Sequence, residues 1–236
     1  MVAKQLDISR TAAQEIIRSG YVQIAGYTIL KPGMPFSEET TIFIENGSRA
    51  FVGRGGDKLE AALEKFALDA HNQVCLDVGA STGGFTDCLL KRGAAKVYAI
   101  ENGKDQLAAQ LKANPKVISM EETDIRNVVL QWFDEPITFA VVDVSFISLT
   151  KVLEPIVNVL APSAKLICLI KPQFEAGKGK VNKRGIVKDQ KIRQQVIDKV
   201  CDYAHTLGFS CKGIFPFPDT PPKNKNQEFL VYFTNE

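Results

Sequence analysis

Residues 75–87 read CLDVGASTGGFTD: an apolar strand-like start, Asp77, three glycines and a closing Asp87. A buried strand that ends beside an acidic residue and runs into small residues leaves backbone bare at the start of the next helix. A ligand can lie against it there. Gly79, Gly83 and Gly84 are the positions expected to leave that room, with Ser81 between them. The spacing is not the GxGxxG of dinucleotide folds, and glycine turns after strands are common. Taken alone, this loop is balanced between a nucleotide site and a structural turn.

The next strand adds to it. KVYAIE ends in Glu101, about twenty residues on, where a carboxylate can accept hydrogen bonds from both hydroxyls of a ribose. Asp124 closes the third strand unit and is placed to meet an adenine amine. Together the three features favour adenosine recognition without the phosphate cradle of a GKT loop. The D-x-G-x-x-x-G-G spacing resembles the S-adenosylmethionine loop of class I methyltransferases more than a dinucleotide loop.

Around this stretch, strand-like runs alternate with helical ones: LEAALEKFAL as an amphipathic helix, then VCLDV, KVYAI, KVISM, ITFAVVDV, AKLICLI and a final FLVYF. Such alternation predicts an α/β domain, a Rossmann-like and mostly parallel sheet covered on both faces, with an antiparallel strand near the end. The first fifty residues read differently. Ala12, Ala13, Ile16 and Ile17 have helical spacing, Gly20 stops it, and short strand-like pieces follow with turns at Gly26 and at Lys31, Pro32 and Gly33. ENGSRAFVGRGGDK, residues 45–58, is rich in glycine and charge. The expected organisation is a small α+β unit over 1–47, a linker over 48–57 and the larger domain over 58–236.

Composition bounds the rest. The chain has 236 residues, 45% of them apolar, enough for one full α/β domain with something small beside it. Its 29 basic and 27 acidic residues nearly cancel, so attraction to nucleic acid must come from local clustering. Five scattered cysteines without CxxC spacing fit reduced thiols in a cytoplasm, and two histidines, His71 and His205, offer little for a metal site or a triad. Neither a signal-peptide core nor a membrane-spanning run is expected.

Asp143 in VVDVSFIS ends the fourth strand and Lys171 in LIKPQFE the fifth, which puts both at the carboxyl edge of the sheet, where such folds bind ligands. A lysine there could act as a base. A plain ion pair closing the sheet end is an equal reading. Lys58 in GRGGDK and Glu228 in NQEFLVYF carry, by themselves, only the ordinary expectation of a solvated charge. The segment from Lys171 to Arg193 holds eight basic residues against two acidic ones, a net of +6. Lys178, Lys180, Lys183 and Arg184 within it are expected to hold RNA phosphates on a mobile loop, although such a run is also the usual mark of a solvated face.

The motifs GRGGDKLEAAL, LDVGASTGGFTD, VVDVSFISL, LIKPQFE with the following GIVKD, and NQEFLVYF, in this order, resemble those of the TlyA-type proteins. These are called hemolysins by name and are similar to FtsJ-like ribose 2′-O-methyltransferases of ribosomal RNA. The resemblance implies S-adenosylmethionine as cofactor and 2′-O-methylation of a ribose, of a cytidine, in ribosomal RNA. It implies a Lys58, Asp143, Lys171 and Glu228 tetrad, in which Lys171 deprotonates or orients the hydroxyl and the others tune and position it. The cofactor positions expected are Asp77, Gly79, Ser81, Gly83, Gly84, Phe85, Glu101, Asp124 and Asp143, with Phe85 where FtsJ relatives have tryptophan. The first unit is similar to the S-four-type RNA-binding module. It is expected to be trimmed at its N-terminus and to dock RNA through Arg10 and Arg18. Two other readings stand beside the enzyme: a membrane-lytic hemolysin, and a non-catalytic RNA-binding ribosome-assembly factor.

Overall fold

The structure, a computed structural model, describes residues 1–6, 10, 13–14, 17, 22–29, 31–37, 40–44, 51–177, 179–182, 184–219 and 225–235. The chain divides into two compact units, Met1–Ala50 and Phe51–Glu236.

The first unit holds helix α1 (Val2–Leu6) and strands β1 (Val22–Ile24), β2 (Tyr27–Ile29) and β3 (Ile42–Ile44), which form an antiparallel sheet in the order β2-β1-β3. The β1–β2 hairpin turns on Ala25 and Gly26, both with positive φ. That is the two-residue geometry matched to strand twist, and it explains the turn read at Gly26. Ala13 is buried with Val2 and Val22, and Ile17 packs against the same cluster, as the helical spacing requires. Ala12, Ile16 and Gly20 lie outside the described residues.

The second unit begins at Phe51, and helix α2 (Arg54–Lys65) starts inside the stretch read as linker. Leu59, Ala62 and Leu63 line one face of this helix and are buried. The core of the unit is a seven-stranded sheet of β4 (Val74–Val78), β5 (Lys96–Ile100), β6 (Val117–Met120), β7 (Ile137–Val142), β8 (Leu160–Ile170), β9 (Ser210–Phe217) and β10 (Glu228–Thr234), in the order β6-β5-β4-β7-β8-β10-β9. Neighbours from β6 to β8 run parallel, and β10 lies antiparallel between β8 and β9. The predicted antiparallel strand is β10. β9 was not foreseen, because Gly213 and Pro216 interrupt its pattern and it is a half-exposed edge strand.

Helices α3 (Gly84–Lys91), α4 (Ala109–Lys112), α5 (Leu153–Val157), α6 (Pro172–Glu175) and α7 (Gln190–Thr206) complete the unit. The central strands are apolar at most positions because both faces are covered, with Asp77 of β4 a buried exception. Leu76, Val78, Val142 and Ile170 enter one core with Val196 and Val200 of α7, whereas Cys75, Val141 and Leu169 enter another with Leu59 and Leu63 of α2. The parallel strands thus place their carboxyl ends, and the loops after them, along one edge.

Candidate active site

The loop after β4 is shaped by backbone needs. Gly79 has φ +83, and a Cβ on it would lie 2.6 Å from the Asp143 carbonyl oxygen, so glycine lets the β4 and β7 loops touch. The other two glycines serve a purpose different from the expected ligand clearance. A Cβ on Gly83 would meet Leu111 Cδ1 at 2.2 Å, and one on Gly84 would meet Gly56 N at 2.9 Å. Both are sites of close protein packing: Gly83 against α4, Gly84 against the start of α2. Phe85 is buried in the same layer, with the Cβ position of Gly55 3.2 Å from its ring. Asp77 is fully buried beneath the loop, where its Oδ2 accepts the Thr86 hydroxyl at 2.6 Å. Burial, then the nearby Asp143 and Glu101 charges, against the opposing Thr86 hydrogen bond, push its carboxyl up to about 7. Asp77, Gly83, Gly84 and Phe85 therefore shape and support the loop from behind.

In front of the loop lies a cavity of about 670 Å³ lined by Gly79, Ser81, Glu101, Asp124 and Asp143 among others. Glu101 ties two loops together, accepting from Ser81 N at 2.9 Å and from Gly103 N at 2.7 Å. Each of its oxygens keeps a lone pair for a further donor. Asp124 caps the short turn after it by accepting from Arg126 N, and the Arg126 guanidinium beside it holds its carboxyl below the usual range. The sequence reading missed Gln106, Arg126, Ser145 and Phe146, which also line this space. Phe146 could have been suspected as an aromatic beside Asp143. Its φ of +65 and 90% exposure are set by the fold.

The four charged residues form two ion pairs, and Asp143 of one pair lines the cavity. Lys58 Nζ lies 2.6 Å from Glu228 Oε2, and Lys171 Nζ lies 2.5 Å from Asp143 Oδ1. The second contact is an ion pair more than a directed hydrogen bond, whereas Lys171 Nζ also donates to Ser145 Oγ at 2.8 Å. Lys171 follows β8 and Glu228 opens β10, one step beyond the paired Ile170 and Phe229, so the register sets the two pairs side by side. Lys171 is nearly buried and stands behind Asp143 and Ser145, which face the cavity. Here four side chains distant in sequence meet at one sheet edge.

The chain matches FtsJ-like methyltransferases over residues 51–235. It belongs to the FtsJ-like methyltransferase family. A Mycobacterium tuberculosis protein named 16S/23S rRNA (cytidine-2'-O)-methyltransferase TlyA is 39% identical over 231 residues, covering 98% of this chain and 86% of that protein. A Brachyspira hyodysenteriae protein named Hemolysin A is 39% identical over 226 residues, covering 95% and 93%. The solved structure of a hemolysin candidate from Streptococcus thermophilus superposes with a TM-score of 0.79 at 36% identity, covering 96% of this chain and 83% of that one. Among the described residues no helix of this FtsJ-like protein is long and apolar enough to cross a membrane.

Of the residues expected to hold RNA, Arg10, Lys180 and Arg184 are exposed, whereas Arg18, Lys178 and Lys183 lie outside the described residues. The segment read as a mobile loop is pinned at one end. Asn182 Oδ1 accepts from Arg184 N and Ile186 N, and Asn226 bridges Gly185 O and Val187 N just before Glu228.

Proposed function

We propose that this protein transfers a methyl group from S-adenosylmethionine to a ribose 2′-hydroxyl in ribosomal RNA, with cytidine as the acceptor nucleotide. One observation carries the reading: the Lys58–Glu228 and Lys171–Asp143 pairs lie side by side at one sheet edge, and Asp143 of the second pair lines a cavity that suits an adenosine. The activity named for the 39% identical Mycobacterium tuberculosis relative supports it.

The cavity lining fits the cofactor. Glu101 would accept from the two ribose hydroxyls, and Asp124 from the adenine amine, which it would share with Arg126. Gly79 brings the β4 and β7 loops together at the cavity it lines. When bound, S-adenosylmethionine supplies a methyl group already activated by its sulfonium, so the chain has only to align the acceptor and take up its proton. Lys171 in its neutral form takes the proton of the 2′-hydroxyl on Nζ. Asp143 holds that amine in place and compensates the positive charge it gains. Lys58 and Glu228 fix each other beside it and shape the entry for the ribose.

The first unit is an RNA-binding module of S-four type over residues 1–47, followed in the chain by the methyltransferase domain. Lys180 and Arg184 add phosphate contacts near the catalytic edge. The protein works in the cytoplasm, where its substrate is made. Purified protein incubated with labelled cofactor and either bare ribosomal RNA or assembled subunits tests the reading. A 2′-O-methylcytidine mapped in the product is the expected result, and methyl transfer to neither substrate would overturn it.

A further inference from the structure

We propose that Ser145 is a positioning residue that aims the lone pair of Lys171 at the acceptor hydroxyl. The inference rests on the reading of Lys171 as the base. Neutral lysine has two N–H donors and one lone pair. In this structure two acceptors stand within reach of its nitrogen: Asp143 Oδ1 at 2.5 Å and Ser145 Oγ at 2.8 Å. Both belong to residues that line the cavity, while the rest of Lys171 is nearly buried. The Asp143 contact is an ion pair without hydrogen-bond direction, so the N–H given to Ser145 is what sets the torsion about Cε–Nζ and confines the lone pair to the remaining tetrahedral directions. Without the Ser145 hydroxyl the amine could rotate about that bond and spread the lone pair over a cone.

The hydroxyl itself is held from outside the site. Ser145 opens a loop whose far end is anchored by the buried Glu175, which accepts from the Ser148 hydroxyl at 2.5 Å and from Leu149 N at 2.6 Å. Between the anchor and Ser145 the chain passes through Phe146 in a left-handed conformation, an uncommon state for a bulky residue that needs surrounding support. Ser145 is thus fixed by contacts that do not involve a cofactor or a substrate. On proton transfer the proton moves from the 2′-hydroxyl to Nζ, and the new ammonium keeps its hydrogen bond to Ser145 and its ion pair with Asp143.

The charged groups about Lys171 are Asp143 after β7, Glu228 with its Lys58 partner on β10 and α2, and Glu175 with Lys199 on α6 and α7. Ser145 is the neutral acceptor in this set. Ser145→Ala should lower kcat about ten- to a hundredfold with little change in KM for the cofactor. Ser145→Thr, which keeps the hydroxyl, should restore most of kcat. A kcat for Ser145→Ala within twofold of wild type, a loss confined to KM, or a Ser145→Thr variant no more active than Ser145→Ala would each overturn the role. Lys171→Ala run alongside separates the two readings, since full turnover in that variant sinks the base itself.

Discussion

Glu228 and Lys171 stand opposite each other at the ends of β10 and β8, one position past the paired Phe229 and Ile170. The antiparallel insertion of β10 is what makes them neighbours, and each brings its own counter-ion, Lys58 and Asp143. If the four act together, removing any one should disturb the others. Lys58→Met and Glu228→Gln should each lower methyl transfer, and their double-mutant cycle should show a coupling of about 1–2 kcal/mol in both activity and urea stability. Additive losses would mean that the contact carries no energy.

Lys171→Ala should reduce single-turnover methyl transfer about 10²- to 10⁴-fold. Cofactor affinity measured by calorimetry should stay close to wild type, because Lys171 stands behind the cavity wall. An equal fall in affinity would show that the lysine holds the cofactor instead.

Gly83→Ala must place a methyl group against Leu111 and adopt φ +97, so a loss of about 1–3 kcal/mol is expected in denaturant unfolding. Leu111→Ala is itself destabilising, yet it removes the atom in the way. The double variant should therefore be less damaged than the sum of the two singles, and the residual cost reports the backbone strain alone. Strict additivity would contradict the packing role given to Gly83.

Asp77 gives a stability signature with a defined sign. Its carboxyl titrates near 7 in the folded protein against 3.8 when solvated, chiefly because it is buried. Between these values the folded state binds a proton that the unfolded state has lost, so stability must fall as pH rises through this window, by roughly 1.4 kcal/mol per unit at most. Asp77→Asn keeps an acceptor for the Thr86 hydroxyl without the charge. It should flatten the profile between about pH 4 and 7 and be the more stable protein at pH 8. Parallel stability profiles for the two proteins would show that Asp77 does not titrate there.

Lys180→Glu and Arg184→Glu should weaken RNA binding across sequences alike, and each should reduce the slope of log affinity against log salt by about one. Affinity unchanged at moderate salt would leave these residues as ordinary surface charges.

Much of the domain could be read from its residues. VCLDV, KVYAI, ITFAVVDV and FLVYF all fall on strands, since a sheet covered on both faces leaves an uninterrupted apolar run that little else in a soluble chain produces. The direction of β10 was legible only as a tendency, and β9 not at all, because an edge strand with one solvated face has no such run. Glu101 and Asp124, read from their distance from the glycine loop, line the cavity in front of it. The glycines themselves misled: sequence shows that a Cβ is missing but not which neighbour needs the space, and Gly83 and Gly84 answer to Leu111 and α2. Ser145 and Phe146 went unnoticed because their importance arises from a loop path that Glu175 fixes at a distance.

The place of β10 also orders events during synthesis. β8 and β9 share no hydrogen bonds, and only the strand spanning residues 228–234 joins them. A nascent chain paused after residue 217 would carry two strands without their common neighbour, and its Lys58 would have no glutamate to meet. The two ion pairs can therefore come together only once the strand carrying Glu228 has docked between β8 and β9.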